Sequence, residues 1–305
     1  ADRIDGRAGN DLIWGLDGDD ILTGGTGTDY LDGGLGDDTY IVHAGDAPAD
    51  FDLGLIEAIV DDGGNDTLIL DGIDPASVQV SGAATPNELR IAFGSDQLAI
   101  VDGIAGTVEH VTLGNETLTT AELIGRHAET VLIGTDAAGH ALTLGGRRND
   151  ALTALAGHAT FSGGRGNDVL IGGGGNNTYR YSLGDGTDSL TDGSAKTDAQ
   201  GAAQINTLKV GAGVTAADLR IRAAEGVLTL QIGADPGDAI HIQGFDPASQ
   251  TGALDRIEFD DGTTLTYADL IARGSDILGT AGDDVLTGSV LHDRLAGGEG
   301  NDTYR

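Results

Sequence analysis

Four rows of nine residues open the chain and leave it few ways to fold: GRAGNDLIW from Gly6, GLDGDDILT from Gly15, GGTGTDYLD from Gly24 and GGLGDDTYI from Gly33. Each row is glycine-rich at first, places an aspartate sixth (Asp11, Asp20, Asp29, Asp38) and an apolar residue eighth (Ile13, Leu22, Leu31, Tyr40). Glycine lets a tight turn adopt left-handed backbone and keeps its carbonyls unobstructed. The three residues that follow extend as a short strand, with the middle one pointing inward. Strict repetition at this period predicts a parallel coil in which two rows complete one circuit. Rows two apart then share an edge, Asp11 with Asp29 and Asp20 with Asp38.

Carboxylates and glycine carbonyls are hard oxygen donors, and about six to eight of them suit Ca2+. A single such turn would read as an ordinary polar surface loop. Four in register favour a metal-binding coil.

The pattern returns twice. GGRRNDALT from Gly145, ALAGHATFS from Ala154, GGRGNDVLI from Gly163 and GGGGNNTYR from Gly172 form a second block. Arg148 replaces the fourth-position glycine there, and Ala159 and Asn177 stand where aspartate is expected. Asp150 and Asp168 can share an edge, while the opposite edge is depleted. Upstream, DAAGHALTL from Asp136 has Ala141 at the ligand position. A third block runs through GTAGDDVLT from Gly279, GSVLHDRLA from Gly288 and GGEGNDTYR from Gly297, with Asp284, Asp293 and Asp302 as its carboxylates. Leu286, Leu295 and Tyr304 are expected to face in. Leu291 replaces a turn glycine and weakens the case for Asp293. The blocks close on nearly the same phrase: DTY at Asp38, NTY at Asn177 and DTY at Asp302.

The intervals between blocks resemble each other. NDTLILDGIDPASVQV, ELRIAFGSDQLAIVDGI and VEHVTLGNETLTTAELI in the first answer to INTLKVGAGVTAADLRI, VLTLQIGADPGDAIHIQGF and LDRIEFDDGTTLTYADLI in the second. Alternation in Leu89-Arg90-Ile91 and in Ala239-Ile240-His241-Ile242 fits strands with one wet face. Each interval closes on a short helix, capped by Thr120 or Thr266. The expected fold is all-β, with parallel β-roll blocks alternating with two similar β-rich modules. The segments are 1–41 (roll), 42–126 (module), 127–180 (partly degenerate roll), 181–273 (module) and 274–305 (start of a third roll). The modules are expected to act as insertions or caps that cover roll ends.

Composition agrees. The 305 residues include 52 Gly and 49 Asp plus Glu against 16 Lys plus Arg, a formal charge of -33. Such a chain repels itself unless cations are built into its fold. Acidic disorder is disfavoured because 39% of residues are apolar and recur at ordered spacing. No cysteine is present, so calcium is the available staple for a chain outside the cell. The charge argues against nucleic-acid binding, and no apolar run reaches the roughly 20 residues of a membrane span.

On these residues the chain resembles the repeats-in-toxin family, whose calcium-binding nonapeptide repeats occur in bacterial proteins exported by type I secretion machinery. The intervals resemble the haemolysin-type calcium-binding related domain. The resemblance implies Ca2+ between stacked turns, an unfolded state in low-calcium cytosol and folding outside the cell, in a secreted or cell-surface location. It implies ligand carboxylates at Asp11, Asp20, Asp29, Asp38, Asp150, Asp168, Asp284, Asp293 and Asp302. Carbonyls would come from glycines including Gly9, Gly18, Gly25, Gly27, Gly34, Gly36, Gly164 and Gly166.

The family includes lipases, proteases, epimerases and adhesins, so the repeats leave the parent's activity open. No HExxH or GxSxG motif occurs, and this region is expected to be non-catalytic. His140 and His158, eighteen residues apart, read as loop or surface histidines, with a metal pair on one edge as the alternative. Asp74, Asp235 and Asp246 each precede a proline and read as turn openers, with calcium-triggered self-cleavage as the alternative. Trp14, ninth in its row, projects from the strand and is expected to pack against a preceding element, with a stacking platform for a polysaccharide or cell-surface ligand as the alternative. A calcium-dependent scaffold or adhesin region is expected, with a carbohydrate-binding region or the repeat part of a secreted enzyme as alternatives.

Overall fold

The computed structural model describes residues 1–48, 56–82, 87–136, 138, 140–154, 157–193, 203–224, 226–246, 252–289 and 291–305. Ala137 and Gly139 of the row that begins at Asp136, Leu155 and Ala156 of the second block, Pro247 and Val290 lie outside the described residues. The chain divides into two units, Ala1–Arg147 and Arg148–Arg305.

In the first unit the rows alternate between two sheets. Arg3–Asp5, Ile21–Thr23 and Thr39–His43 pair in parallel in one; Leu12–Trp14 and Tyr30–Asp32 pair in parallel in the other. The eighth-position residues stack in columns, Ile4 beside Leu22 beside Tyr40 and Ile13 beside Leu31. Ile13 is 6% exposed, and Leu22, Leu31 and Tyr40 are wholly buried. Burying each such side chain contributes roughly 1.5–3 kcal/mol, the apolar driving force available to a coil this thin.

The first interval is the same coil with longer loops. Thr39–His43 pairs in parallel with Thr67–Asp71, which pairs in parallel with His110–Leu113; Tyr30–Asp32 pairs with Glu57–Val60, which pairs with Asp96–Ile100. Tyr40 stands beside Leu68 and Leu31 beside Ile59, so the apolar columns run on without a break. Only then does the direction reverse. Glu116–Thr119 folds back on His110–Leu113, and Leu89–Phe93 and Val78–Gly82 fold back in turn on Asp96–Ile100. The module first extends the roll and then closes it with antiparallel pairings.

The second unit repeats this plan. Ala159–Ser162, Asn177–Tyr181, Thr207–Val210 and Arg256–Phe259 run parallel and close with antiparallel Thr264–Thr266. Ala151–Thr153, Val169–Gly172, Thr187–Asp192 and Ala239–Gln243 run parallel and close with Val227–Ile232 and Leu219–Ala224. Phe161 stacks on Tyr179 in the core, ring centroids 5.1 Å apart. In the third block Ser275–Leu278 pairs with Asp293–Ala296, and Val285–Leu286 with Thr303–Tyr304. Leu286 is buried and Leu295 half-buried, whereas Tyr304 is 55% exposed rather than facing in.

Both short helices form. Thr266 caps Tyr267–Arg273 as expected, its hydroxyl accepting from the Asp269 amide. Thr120–His127 is capped one residue earlier, by Thr119 through a reciprocal pairing with Glu122. Thr120 is buried and donates instead to the Val108 carbonyl at 2.5 Å.

Candidate metal centre

The sixth-position aspartates do two jobs with two oxygens. One oxygen caps the row below: the Asp11 amide donates to Asp29 Oδ1 at 2.8 Å, and the Asp20 amide to Asp38 Oδ1 at 2.7 Å. The other oxygen points into the turn. Asp11, Asp20, Asp29 and Asp38 each keep an Oδ2 that is buried and has no hydrogen-bond partner. A buried carboxylate oxygen left without a donor costs several kcal/mol unless a proton or cation meets it. Asp20, Asp29 and Asp38 are at most 2% exposed, so bulk solvent does not reach them.

The turns are shaped to bring this about. Gly27 has φ +143°, and a Cβ there would lie 1.8 Å from the Gly9 carbonyl oxygen of the stacked row. A Cβ at Gly24 would lie 2.2 Å from Asp29 Oδ2. Only glycine allows carbonyls and carboxylates to converge this closely. Gly18, Gly25, Gly34 and Gly36 share the left-handed backbone, as do Gly164 and Gly166 in the second unit. Arg7 (φ 73°) and Leu16 (φ 75°) hold it without being glycine.

The fifth position makes a second ladder along the outside. The Thr28 amide donates to Asn10 Oδ1, Asp37 to Asp19 and Asn65 to Asp37, each within 3.1 Å. In the second unit Asn167 donates to Asn149, and Asn176 donates to His158 Nδ1 at 2.9 Å. His158 therefore fills an asparagine's place in the ladder, and His140 binds Asp136 at 3.0 Å. Each histidine of the suggested metal pair has another task.

The carboxylate columns run on past the nine-residue rows. Asp38 donates its amide to Asp66 Oδ1 at 2.7 Å, and Asp66 donates to Glu109. Asp66 Oδ2 and Glu57 Oε2 are buried without a partner, and Glu57 stands in line with Asp29. Burial first, then neighbouring carboxylates, pushes Glu57 up to about 9 and Asp66 up to about 7. Burial likewise raises Asp29 and Asp38 above the usual carboxylate range. The phrase Asn65-Asp66-Thr67-Leu68 echoes Asp37-Asp38-Thr39-Tyr40 and is the signal that finds this extension.

In the second unit the Asp150 amide donates to Asp168 Oδ1 at 2.7 Å, and Asp168 donates to Asp188 at 3.0 Å. Asp168 Oδ2 is buried without a partner. Burial raises Asp168 to about 7 and Asp188 to about 8. The depleted edge closes with amides instead: Ala159 donates to Asn177 and Asn177 to Asn206. In the third block the Asp284 amide donates to Asp302. Asp284 Oδ2 is met by Thr280, and both oxygens of Asp293 are met by Ser289 in its own turn.

The first unit thus fits calcium in the chemistry of its donors, in its unpartnered buried oxygens and in the glycine clearances around them. Residues 1–31, 144–179, 153–190 and 274–304 match the family of the RTX calcium-binding nonapeptide repeat (4 copies). Residues 228–269 match the haemolysin-type calcium binding protein related domain. No curated protein matches the chain. Among solved structures, the chain is similar to an extracellular lipase, LipA from Serratia marcescens, at 20% identity and a TM-score of 0.27. That alignment covers 79% of this chain and 38% of the lipase chain, so this chain spans well under half of that protein's length.

Proposed function

We propose that this chain, which carries RTX calcium-binding nonapeptide repeats and a haemolysin-type calcium binding protein related domain, is a calcium-dependent structural region of a larger secreted bacterial protein. The observation that carries the reading is the two columns of buried, unpartnered carboxylate oxygens, Asp11 with Asp29 and Asp20 with Asp38. These four, with Asp150 and Asp168, are the residues we assign to calcium, together with stacked-turn glycine carbonyls such as those of Gly9 and Gly18. Bound calcium supplies charge neutralisation. The aspartates meanwhile hold the rows in register through their other oxygen, and the apolar columns close the coil. We assign Asp284, Asp293 and Asp302 to the third block with weaker demand, since Thr280 and Ser289 already serve the first two.

Folding and binding are then one event. At low calcium the acidic chain stays open, which suits passage through type I secretion machinery. At the roughly millimolar calcium typical of extracellular modules the folded form is drawn out by mass action. The region is non-catalytic in this reading and serves as scaffold or adhesin architecture at the cell surface or in the medium. The five-segment division describes its sequence pattern, with the sheets running through the first boundary in the strand Thr39–His43.

A calcium titration of the EDTA-treated chain, followed by far-UV circular dichroism with a magnesium control, tests this. A cooperative gain of β signal specific to calcium supports it. An equally β-rich spectrum in EDTA and in calcium removes it.

A second reading, a polysaccharide-binding surface, draws on Trp14. It is 51% exposed with its ring 6.4 Å from Tyr30 on the same sheet face. As the sole tryptophan, it reports directly: titration with acidic and neutral oligosaccharides should shift its fluorescence, and a flat response excludes it as a platform.

A further inference from the structure

The two units differ where the nine-residue rows give way to longer loops, and the difference is one of charge. In the first unit the turn that follows Val60 reads DDGGND, with Asp61 where a repeat would have its first glycine. Asp61 lies in line with Gly33, its Oδ2 accepting from the Tyr40 hydroxyl at 2.6 Å and its Oδ1 from the Gly63 amide at 2.7 Å. Asp38, Asp61 and Asp66 each offer an oxygen within 4.8 Å of the others. All three are buried, Asp38 at 1% and Asp66 at 0% exposure, and the Oδ2 atoms of Asp38 and Asp66 have no partner. Two oxygens on opposite sides of a calcium ion lie about 4.6–5.2 Å apart, so the separation accommodates one ion.

The second unit has the same framework with one carboxylate in place of three. Tyr179 takes the place of Tyr40 and donates to Asp192 Oδ2 at 2.6 Å, and Asp192 lies in line with Gly172 as Asp61 does with Gly33. Asn177 and Asn206 replace Asp38 and Asp66, with the same capping bond between them, 3.0 Å against 2.7 Å. Asn177 Nδ2 donates to Asp192 Oδ2 and to the Gly173 carbonyl, each at 3.0 Å, and Asn206 Nδ2 donates to the Ala253 carbonyl at 3.0 Å. Side-chain amide nitrogens, each with an acceptor, thus stand there in place of the two oxygens orphaned in the first unit.

We propose that Asp38, Asp61 and Asp66 form a three-carboxylate divalent-cation site at the junction of roll and module, and that the second unit has replaced its ion by the side-chain amides of Asn177 and Asn206. The site differs from those between repeats in drawing on Asp61, which occupies a glycine position, and it rests on the reading of the rolls as calcium-binding. Asp61 is the discriminating residue, because it takes no part in the capping ladder that holds the rows.

Equilibrium calcium binding to the whole 305-residue chain after EDTA treatment tests the assignment, with calcium as the only added metal. Asp61→Asn and Asp66→Asn should each bind one ion fewer than the parent, and Asp192→Asn the same number. The reverse exchange, Asn177→Asp with Asn206→Asp, should bind one ion more, and it decides the question if the first two fail to fold. Unchanged stoichiometry in the folded variants overturns the site and shows a trapped proton in its stead. A parent chain that binds no calcium removes the general calcium reading as well, so the two failures are distinct.

Discussion

The Asp20 amide donates to Oδ1 of Asp38 at 2.7 Å while Oδ2 of the same carboxylate is buried with no partner. One side chain therefore sets the row register and leaves a charge that the protein alone does not answer. The separation of the two roles within a single carboxylate permits them to be tested apart.

Asparagine keeps the capping oxygen and loses the charge. Asp29→Asn should raise the calcium midpoint for folding by roughly tenfold, equivalent to about 1.4 kcal/mol. Asp29→Ala should do worse, since the Asp11 amide also loses its acceptor at a further cost of about 1.5–3 kcal/mol. Asp136→Ala should leave the midpoint in place, because among the described residues Asp136 bonds within its own turn, at Ala138 and His140. Circular dichroism across a calcium series reads all three, and equal midpoints for Asp29→Ala and Asp136→Ala defeat the assignment.

In the metal-free chain, stability should fall as pH rises. Glu57, Asp66, Asp168 and Asp188 are raised to about 9, 7, 7 and 8, so the folded state holds protons that the unfolded chain has released. Their contribution is complete below the unfolded carboxylate range near pH 4 and is lost as pH climbs through about 7 to 9. Protons then stand in for calcium, so the EDTA-treated chain should show more β signal by far-UV circular dichroism at pH 5 than at pH 9, and saturating calcium should remove most of that difference. A β signal in EDTA that rises with pH contradicts the account.

Leu16 holds a left-handed backbone, φ 75°, with its side chain 69% exposed, so it has strain and little burial to offset it. Leu16→Gly should stabilise the first unit by about 1 kcal/mol in calcium, less whatever the extra freedom of the unfolded chain costs. Urea melts of the two proteins give the sign, and a loss of stability would mean that Leu16 packs usefully.

The repeating rows were readable because nine-residue spacing, turn glycines and inward apolar residues all agree there. Ile13, Leu22, Leu31 and Tyr40 all lie in the core. The column's continuation was harder to see, because the interval between capping partners grows from 18 residues at Asp20–Asp38 to 28 at Asp38–Asp66. A fixed period loses the coil at that point, although pairing in the sheet does not. The shared closing phrase also acquires a reason: the hydroxyl of its tyrosine reaches back to accept the amide of its own row's first glycine, Gly33 for Tyr40 at 2.9 Å and Gly297 for Tyr304 at 3.0 Å. The Thr119 cap was missed by one residue because two threonines stand side by side and only burial separates them.

The antiparallel pairings that finish the two sheets of the first unit put Glu116–Thr119 on the last parallel strand of one, and Leu89–Phe93 on that of the other with Val78–Gly82 outside it; these strands are indifferent to how many rows came before. Each unit is thus a spring of adjustable length with a fixed stop. Gene duplications of eighteen residues would add a full circuit and lengthen it harmlessly. A duplication of nine would send every later row to the opposite sheet and bring the wrong strands to the stop, so length in such a protein can change only by even numbers of rows.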